Sequence, residues 1–580
     1  MKYRESGDAA RWTAWLALAI TFAACRGPVP DARPRIVLER AQTDGIWQAT
    51  YHLAEPASRL RFSRQAGFYR EDVWEIVTPG WRFDRVGEDQ VLVADQGALS
   101  DTIVVRFPVY TENLPKEYEL FAEFTDGSVA IYTGHLYVTT ADAPADGADD
   151  AVFLQRLELV ANDGEKIVVQ GIVGEDRVVW EDPHGDGTYV YFGGIEPLET
   201  DSMIGIVDPG APRWLVEQLN RMLPAFFAAY TERFGEQLPW KPIVLFSFVD
   251  IDRPGLSSGG GTLTGLIQMS ATGHEWHEAT PESSEHLLYL IAHEAAHLWN
   301  GQLHPYEDSA DSWMHEGSAD AFAELVLLDA GAIDSNRLAE RRTEALNLCV
   351  RGLRDGSLAT SNQPGRFQNY YACGNLIAVW SVAATPKASG SDLYGIWRAL
   401  FARSDPEEGS YDRATYFAAL EAAGVAPGRI RDLQELIDSE HRDPAARWIE
   451  FFGDVGIDLE VMERPIPSLR RRYASAALSH LMAENCDGHV SYYNERDRLR
   501  TAVMEDCEPF RDELKIVAIE GYPMEDGDLA LEATHRRCGE GEAVTVGLEA
   551  GGTARIPCAT PPPPEPPPLR FPQNSRLRHP

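Results

Sequence analysis

His293 and His297 stand four residues apart, with Glu294 beside the first and Glu316 further along the chain. On a helix, residues at i and i+4 share one face, about one turn apart. Two imidazoles so placed converge on one metal ion, and Glu294 faces the ion's open position. A Zn2+ ion held this way polarises a carbonyl and acidifies water, while a neighbouring carboxylate takes the water's proton. Zinc needs a third protein ligand and keeps a fourth position open for chemistry. Glu316, in Trp313-Met314-His315-Glu316-Gly317, is the candidate, with eighteen residues between it and His297. One Zn2+ per chain is expected. Asp320, one turn after Glu316, is placed to accept a hydrogen bond from a ligand histidine; an exposed helix carboxylate is the alternative reading.

The surrounding sequence supplies elements to position these groups. Thr280-Pro281 reads as an N-cap followed by proline at the first helical position. Leu287, Leu288, Leu290 and Ile291 give an apolar run into the motif, and Gly301 is placed to end the helix. Glu316 then opens a second helical stretch over 317–328. Ahead of the motif, 211–234 is helical in pattern and 243–248 reads as a buried strand. Gly259-Gly260-Gly261 leads into a further strand over 263–270. Beyond Glu316 the chain is mostly helical to about 456, including 375–383, 392–401 and 415–423.

At 580 residues the chain is too long for one core. Its 44% hydrophobic and 24% charged content is globular. A net charge of −38 argues against nucleic-acid binding. The expected organisation is multidomain. Residues 1–25 form a targeting segment, 26–38 a Pro/Arg-rich tether, and 39–200 an all-β, sandwich-like domain. The zinc-bearing domain spans 201–460, a small α+β unit 470–558, and a Pro-rich disordered tail 559–580. Lys2, Arg4 and Arg11 precede a short apolar stretch over 12–24, too short to span a bilayer and suited to a signal peptide. Phe22-Ala23-Ala24-Cys25 resembles a bacterial lipobox, with Cys25 as the acylated residue; simple secretion is the other reading. Six further cysteines in an exported chain suggest disulfides. Pairing of sequence neighbours gives 349–373, 486–507 and 538–558.

The motif set His293-Glu294-x-x-His297-x18-Glu316-Gly317 resembles the gluzincin metallopeptidases, of the aminopeptidase N and glycyl aminopeptidase types. Trp299, two residues past His297, agrees with it. Tyr371-Ala372-Cys373-Gly374 resembles the family's Tyr-x-x-Gly, whose tyrosine supports the oxyanion; Tyr370 is the rival if the register slips by one. Gly265-Leu266-Ile267-Gln268-Met269 sits where the aminopeptidase N type carries its Gly-x-Met-Glu-Asn edge strand, making Gly265 and Gln268 substrate-binding candidates.

The resemblance implies a thermolysin-like, mostly α catalytic domain, with a degenerate PDZ-like module after it. It implies Glu294 and Tyr371 as catalytic residues and a peptide or protein as substrate. Gln268 departs from the family pattern. A neutral amide cannot pair with a substrate's α-ammonium as a carboxylate does, so peptide-bond chemistry is expected but exopeptidase specificity is in question. The rival from another class is a non-catalytic surface lipoprotein using this scaffold for binding. The expected location is the bacterial cell envelope, lipid-anchored through Cys25.

Overall fold

The computed structural model describes residues 33–41, 45–65, 69–87, 89–110, 118–140, 154–182, 184–249, 251–306, 309–363, 365–404, 410–504 and 506–573. The targeting segment, Cys25 and the tether up to residue 32 lie outside them. The chain divides into two compact units: residues 1–121, 131–167 and 174–190, and residues 122–130, 168–173 and 191–580.

The first unit is built on sheets. One has six strands, in the order Arg177–Glu181, Arg156–Val160, Arg35–Arg40, Ile46–Ala57, Ser100–Pro108 and Glu75–Ile76. A second has four: Val138–Thr139, Arg59–Phe62, Asp89–Ala94 and Trp81–Val86. Alternation sets which side chains are buried. Ile36 and Leu38 are buried, as are Trp47, Ala49 and Tyr51 opposite them, and Ile103, Val105 and Phe107. Because Arg35–Arg40 is a strand, residues 35–38 belong to the sheet rather than to the expected tether.

The second unit opens with a five-stranded sheet, in the order Leu198–Glu199, Ile204–Val207, Ile243–Val249, Leu266–Thr272 and Ser257–Leu263. The three middle strands are parallel, and Ser257–Leu263 pairs antiparallel at the edge. The helix Arg213–Phe234 crosses between parallel strands. It buries Leu215, Leu219, Met222, Leu223, Phe226, Phe227, Tyr230 and Phe234, the three-and-four spacing of one face. Helices then dominate: Pro281–His297, Ser312–Asp329, Ser335–Gly352 and Gln368–Ala384, followed by Leu393–Phe401, Arg413–Ala422, Pro427–Asp438 and Pro444–Gly453.

Two local expectations change. Gly301 does not end the motif helix: a π-helical turn, Leu298–Leu303, continues past His297. Gly301 is needed for close approach instead, since a Cβ there would lie 2.5 Å from the His315 ring. Likewise, Glu316 sits in the second turn of a helix that begins at Ser312 rather than opening one.

Residues 467–556 carry a core of their own, around Leu478, Leu481, Ile516, Ile519 and Val546. The helices Pro467–Asn485 and Gly527–Gly539 accompany an antiparallel sheet in the order Tyr492–Glu495, Arg498–Thr501, Lys515–Ile519, Val544–Leu548 and Thr553–Ile556. The disulfides join sequence neighbours: Cys349–Cys373, Cys486–Cys507 and Cys538–Cys558. No described helix is long and apolar enough to cross a membrane.

The tail departs from the expected disorder over its described part, 559–573. Prolines have no N–H to satisfy and little backbone freedom to lose, and their carbonyls are taken up here. Arg354 donates to the Pro564 carbonyl at 2.6 Å, and the Met462 N–H to that of Pro568 at 2.8 Å. Leu569–Arg570 then pairs with Glu460–Val461 as a short strand. The Asn347 side chain donates to the Leu569 carbonyl at 2.6 Å and accepts from its N–H at 2.9 Å. Leu569 and Phe571 are buried in the main helical core, with Phe571 edge-on to Phe452. Phe571→Ala is expected to cost about 3–5 kcal/mol of stability, as for a core aromatic, read by denaturant unfolding; a surface-like change of a few tenths would contradict the packing.

Candidate metal centre

The motif helix starts where its sequence dictates. The Thr280 hydroxyl accepts from the Ser283 N–H at 3.1 Å, and the Ser283 hydroxyl accepts from the Thr280 N–H at 3.0 Å. This reciprocal cap, with Pro281 at the first position, stabilises the helix start by about 1 kcal/mol. Four turns on, His293 and His297 project from one face with their Nε2 atoms 3.0 Å apart. Glu316, from the facing helix Ser312–Asp329, brings Oε2 to 3.3 Å from each. His293 and His297 are buried, and the Glu316 side chain is 13% exposed.

The outer nitrogens fix the tautomers. His293 Nδ1 is 2.8 Å from Asp320 Oδ1, and His297 Nδ1 is 3.0 Å from Asn300 Oδ1. Asn300 is oriented by its own amide group, which donates to the His315 carbonyl at 2.9 Å. Both acceptors take an Nδ1–H, which turns both Nε2 atoms toward Glu316. Two imidazole nitrogens and a carboxylate oxygen thus meet within 3.3 Å. Such a set suits a bound cation. A triangle of this size leaves room for an ion about 2.0–2.1 Å from each corner, the lengths of zinc–nitrogen and zinc–oxygen bonds. The donor set therefore fits zinc.

Charge around the centre agrees. Burial opposes charge on His293, but the hydrogen bonds to Asp320 and Glu316 outweigh it and raise its basicity, which strengthens a ligand. Burial pushes the Glu316 carboxyl up, yet the charge of His297 and hydrogen bonds to both histidines hold it well below the usual range. His315 goes the other way: burial, then the charge of His297, pushes it down to about 3. It is a neutral spacer, stacked 4.0 Å from the His297 ring and bonded to the Asn300 carbonyl at 3.0 Å.

Glu294 is buried beside these three groups, and its Oε2 accepts from the Thr262 hydroxyl at 2.8 Å. Tyr371, from the helix Gln368–Ala384, stacks against His293 with ring centroids 5.6 Å apart. Burial, then the charges of Glu316 and Glu294, raises the Tyr371 pKa, so its hydroxyl stays protonated and can donate. Tyr370, the rival by one residue, is fully buried in the helical core. The disulfide Cys349–Cys373 anchors this helix to Ser335–Gly352 two residues beyond Tyr371.

Gly265 and Gln268 do not join the site. Gly265 (φ +72°) forms the turn between Ser257–Leu263 and Leu266–Thr272, packed under Trp240. Gln268 pairs with Leu245 on one side and Gly261 on the other, so its strand is interior and has no free edge for a peptide. Ile267, Met269 and Ala271 face the helical core, and alternation turns Gln268 to the opposite face. The free edge belongs to Ser257-Ser258-Gly259-Gly260-Gly261-Thr262-Leu263, which carries no acidic residue.

Two contributors escaped the sequence reading. Asn300 lies three residues past His297, a spacing from which its reach to Nδ1 is legible. Thr262 has no such signal, because only strand order shows it beside Glu294. In a second His/Cys cluster, His480 with Cys538 and Cys558, the cysteines form a disulfide and His480 meets the Thr560 carbonyl at 2.7 Å.

No family model matches the sequence, and no curated protein does. Among solved structures, an aminopeptidase N family protein from Idiomarina loihiensis is similar, with a TM-score of 0.58 and 14% sequence identity. The match covers 93% of this chain and 98% of that one. The chain thus has an aminopeptidase N-like fold.

Proposed function

We propose that the protein is a zinc-dependent peptidase, carried by one observation above others: the Nε2 atoms of His293 and His297 and a Glu316 carboxylate oxygen meet at one point beside Glu294 and Tyr371. His293, His297 and Glu316 would hold the ion. Zinc bound there supplies Lewis acidity to a substrate carbonyl and to water. Glu294 takes the proton from the attacking water and passes it to the leaving amine. Thr262 holds that carboxylate toward the centre. Tyr371, kept protonated, donates to the oxygen that becomes anionic as the tetrahedral intermediate forms. Asp320 and Asn300 hold the two imidazoles in the ligating tautomer.

The absence of an acidic residue on the Ser257–Leu263 edge supports hydrolysis that does not depend on a free α-amine. The reaction is assigned to residues 201–460, with a β domain before it and a PDZ-like module over 470–558. The three disulfides favour an exported protein, with Cys25 as its lipid anchor. Zinc analysis of the purified chain is expected to find one ion per chain. A mixed peptide library, half of it N-acetylated, is expected to be cleaved in both halves. Absence of zinc together with absence of cleavage would return the protein to a binding role; cleavage confined to free amines would overturn the specificity.

A further inference from the structure

We propose that the small module over 467–556 completes the substrate groove, supplying a subsite for the residue about four places beyond the scissile bond, so that the substrate is an extended polypeptide. The inference rests on the zinc peptidase reading above. Thr262 of the edge strand Ser257–Leu263 meets Glu294 at 2.8 Å, and four residues back Ser258 Oγ lies 2.7 Å from His286 Nε2. The strand and the helix Pro281–His297 thus run side by side in one direction. The metal centre lies at one end of the groove between them. The other end, at His286, is about 13 Å away at roughly 3.3 Å per strand residue. It meets a cavity of about 490 Å3.

That cavity is shared. Leu256, Ser283 and His286 line one side, and Arg471, Asn494 and Arg496 of the module line the other. The module is fixed there. The Arg496 N–H donates to Glu275 Oε1 at 2.8 Å, and its guanidinium meets Glu278 at 3.2 Å. Arg253 lies 5.3 Å from the centroid of the Tyr493 ring. Gly255 allows the approach, since a Cβ on it would stand 3.0 Å from the Asn494 carbonyl oxygen.

A free strand edge takes an extended chain by strand addition, and antiparallel pairing is the stronger form. A chain antiparallel to Ser257–Leu263 carries the residues C-terminal to its scissile bond toward Ser257 and the cavity. There it meets donors and an acceptor. Arg471, half-buried, donates to the Arg496 and Arg498 carbonyls and has further N–H groups to give. Asn494 accepts from Ser475 at 3.2 Å through Oδ1 and keeps its NH2 group. Glu275 uses one carboxylate oxygen on Arg496 and keeps the other. The alternating N–H and C=O groups of a main chain suit this mixture better than a side chain of either charge.

The test is a series of peptides built around one bond that the full-length protein cleaves, with from one to about six residues C-terminal to it. Between two and five such residues, kcat/KM is expected to rise about tenfold or more, mostly through KM, because these contacts are shared by ground and transition states. In Arg471→Met and in Asn494→Ala, the ratio of kcat/KM between long and short peptides is expected to fall toward one. A flat length dependence in the wild type, a rise found only on the N-terminal side, or an undiminished ratio in both variants overturns the inference and leaves the peptidase reading standing. Cleavage of no peptide at all overturns both. If Arg471→Met does not fold, Asn494→Ala, whose side chain is exposed, decides alone.

Discussion

Glu294→Gln is expected to keep its zinc and lose peptide hydrolysis by on the order of 10^3-fold, or about 4 kcal/mol in the barrier. The exchange is nearly isosteric. The glutamine carbonyl still accepts from Thr262, which meets Glu294 Oε2 at 2.8 Å, so the edge strand keeps its seat. None of the three ligand atoms belongs to residue 294, so metal content, measured by elemental analysis, should remain at one per chain. What is lost is proton acceptance, since a neutral amide cannot take a proton from water. A variant that keeps zinc and turns over a peptide library at the wild-type rate would remove Glu294 from the mechanism. One that loses zinc would show instead that Glu294 maintains the ligand geometry.

Gly374→Ala is expected to be as damaging, without touching a reacting atom. Gly374 lies where the helix Gln368–Ala384 crosses Ser312–Asp329. A Cβ on it would stand 2.0 Å from the Trp313 carbonyl oxygen, and one on Gly317 would stand 2.2 Å from the backbone of Gly374. These neighbours are backbone atoms and cannot swing aside as a side chain would. The helices must part by an ångström or more, at a cost of about 3 kcal/mol or above, the upper end for overpacking. The same displacement carries Tyr371 away from Glu316, three and one residues from the two glycines. A shift of that size costs roughly 10^2-fold in rate. Gly453→Ala is the control: nothing lies within 4 Å of its added methyl, and a change of under about 1 kcal/mol is expected. Thermal unfolding and peptide turnover separate the two, and equal stability in both variants would contradict the close crossing.

Legibility in the sequence followed the range over which each feature is specified. The cluster of His293, His297 and Glu316 was legible because its logic is local: an i, i+4 pair, a glutamate in a second helical stretch, a capping signal at Thr280. Asp320 was legible for the same reason, one turn from Glu316. The placing of Gln268 failed because strand order, not local pattern, decides which strand is the edge. Leu266–Thr272 reads like any half-buried strand until Ser257–Leu263 is seen to pair outside it. That pairing also brings Thr262 to Glu294, which no spacing in the chain foretells. Gly301 was misread because glycine serves both helix ends and close contacts, and the His315 ring that demands the contact comes fourteen positions later.

The tail was misread because composition says nothing of what a distant surface offers. Its anchor has a consequence for timing. Asn347 and Leu569 are 222 positions apart, and Thr343 receives the Phe571 N–H from 228 positions away. The helix Ser335–Gly352, which carries half of the Cys349–Cys373 bond, therefore lacks part of its packing until residue 571 has been synthesised. Contacts of such long sequence separation form late. From the synthesis of Glu316 to that of residue 571, a nascent chain therefore carries the metal-binding motif without this packing on the helix that the Cys349–Cys373 bond ties to Tyr371's.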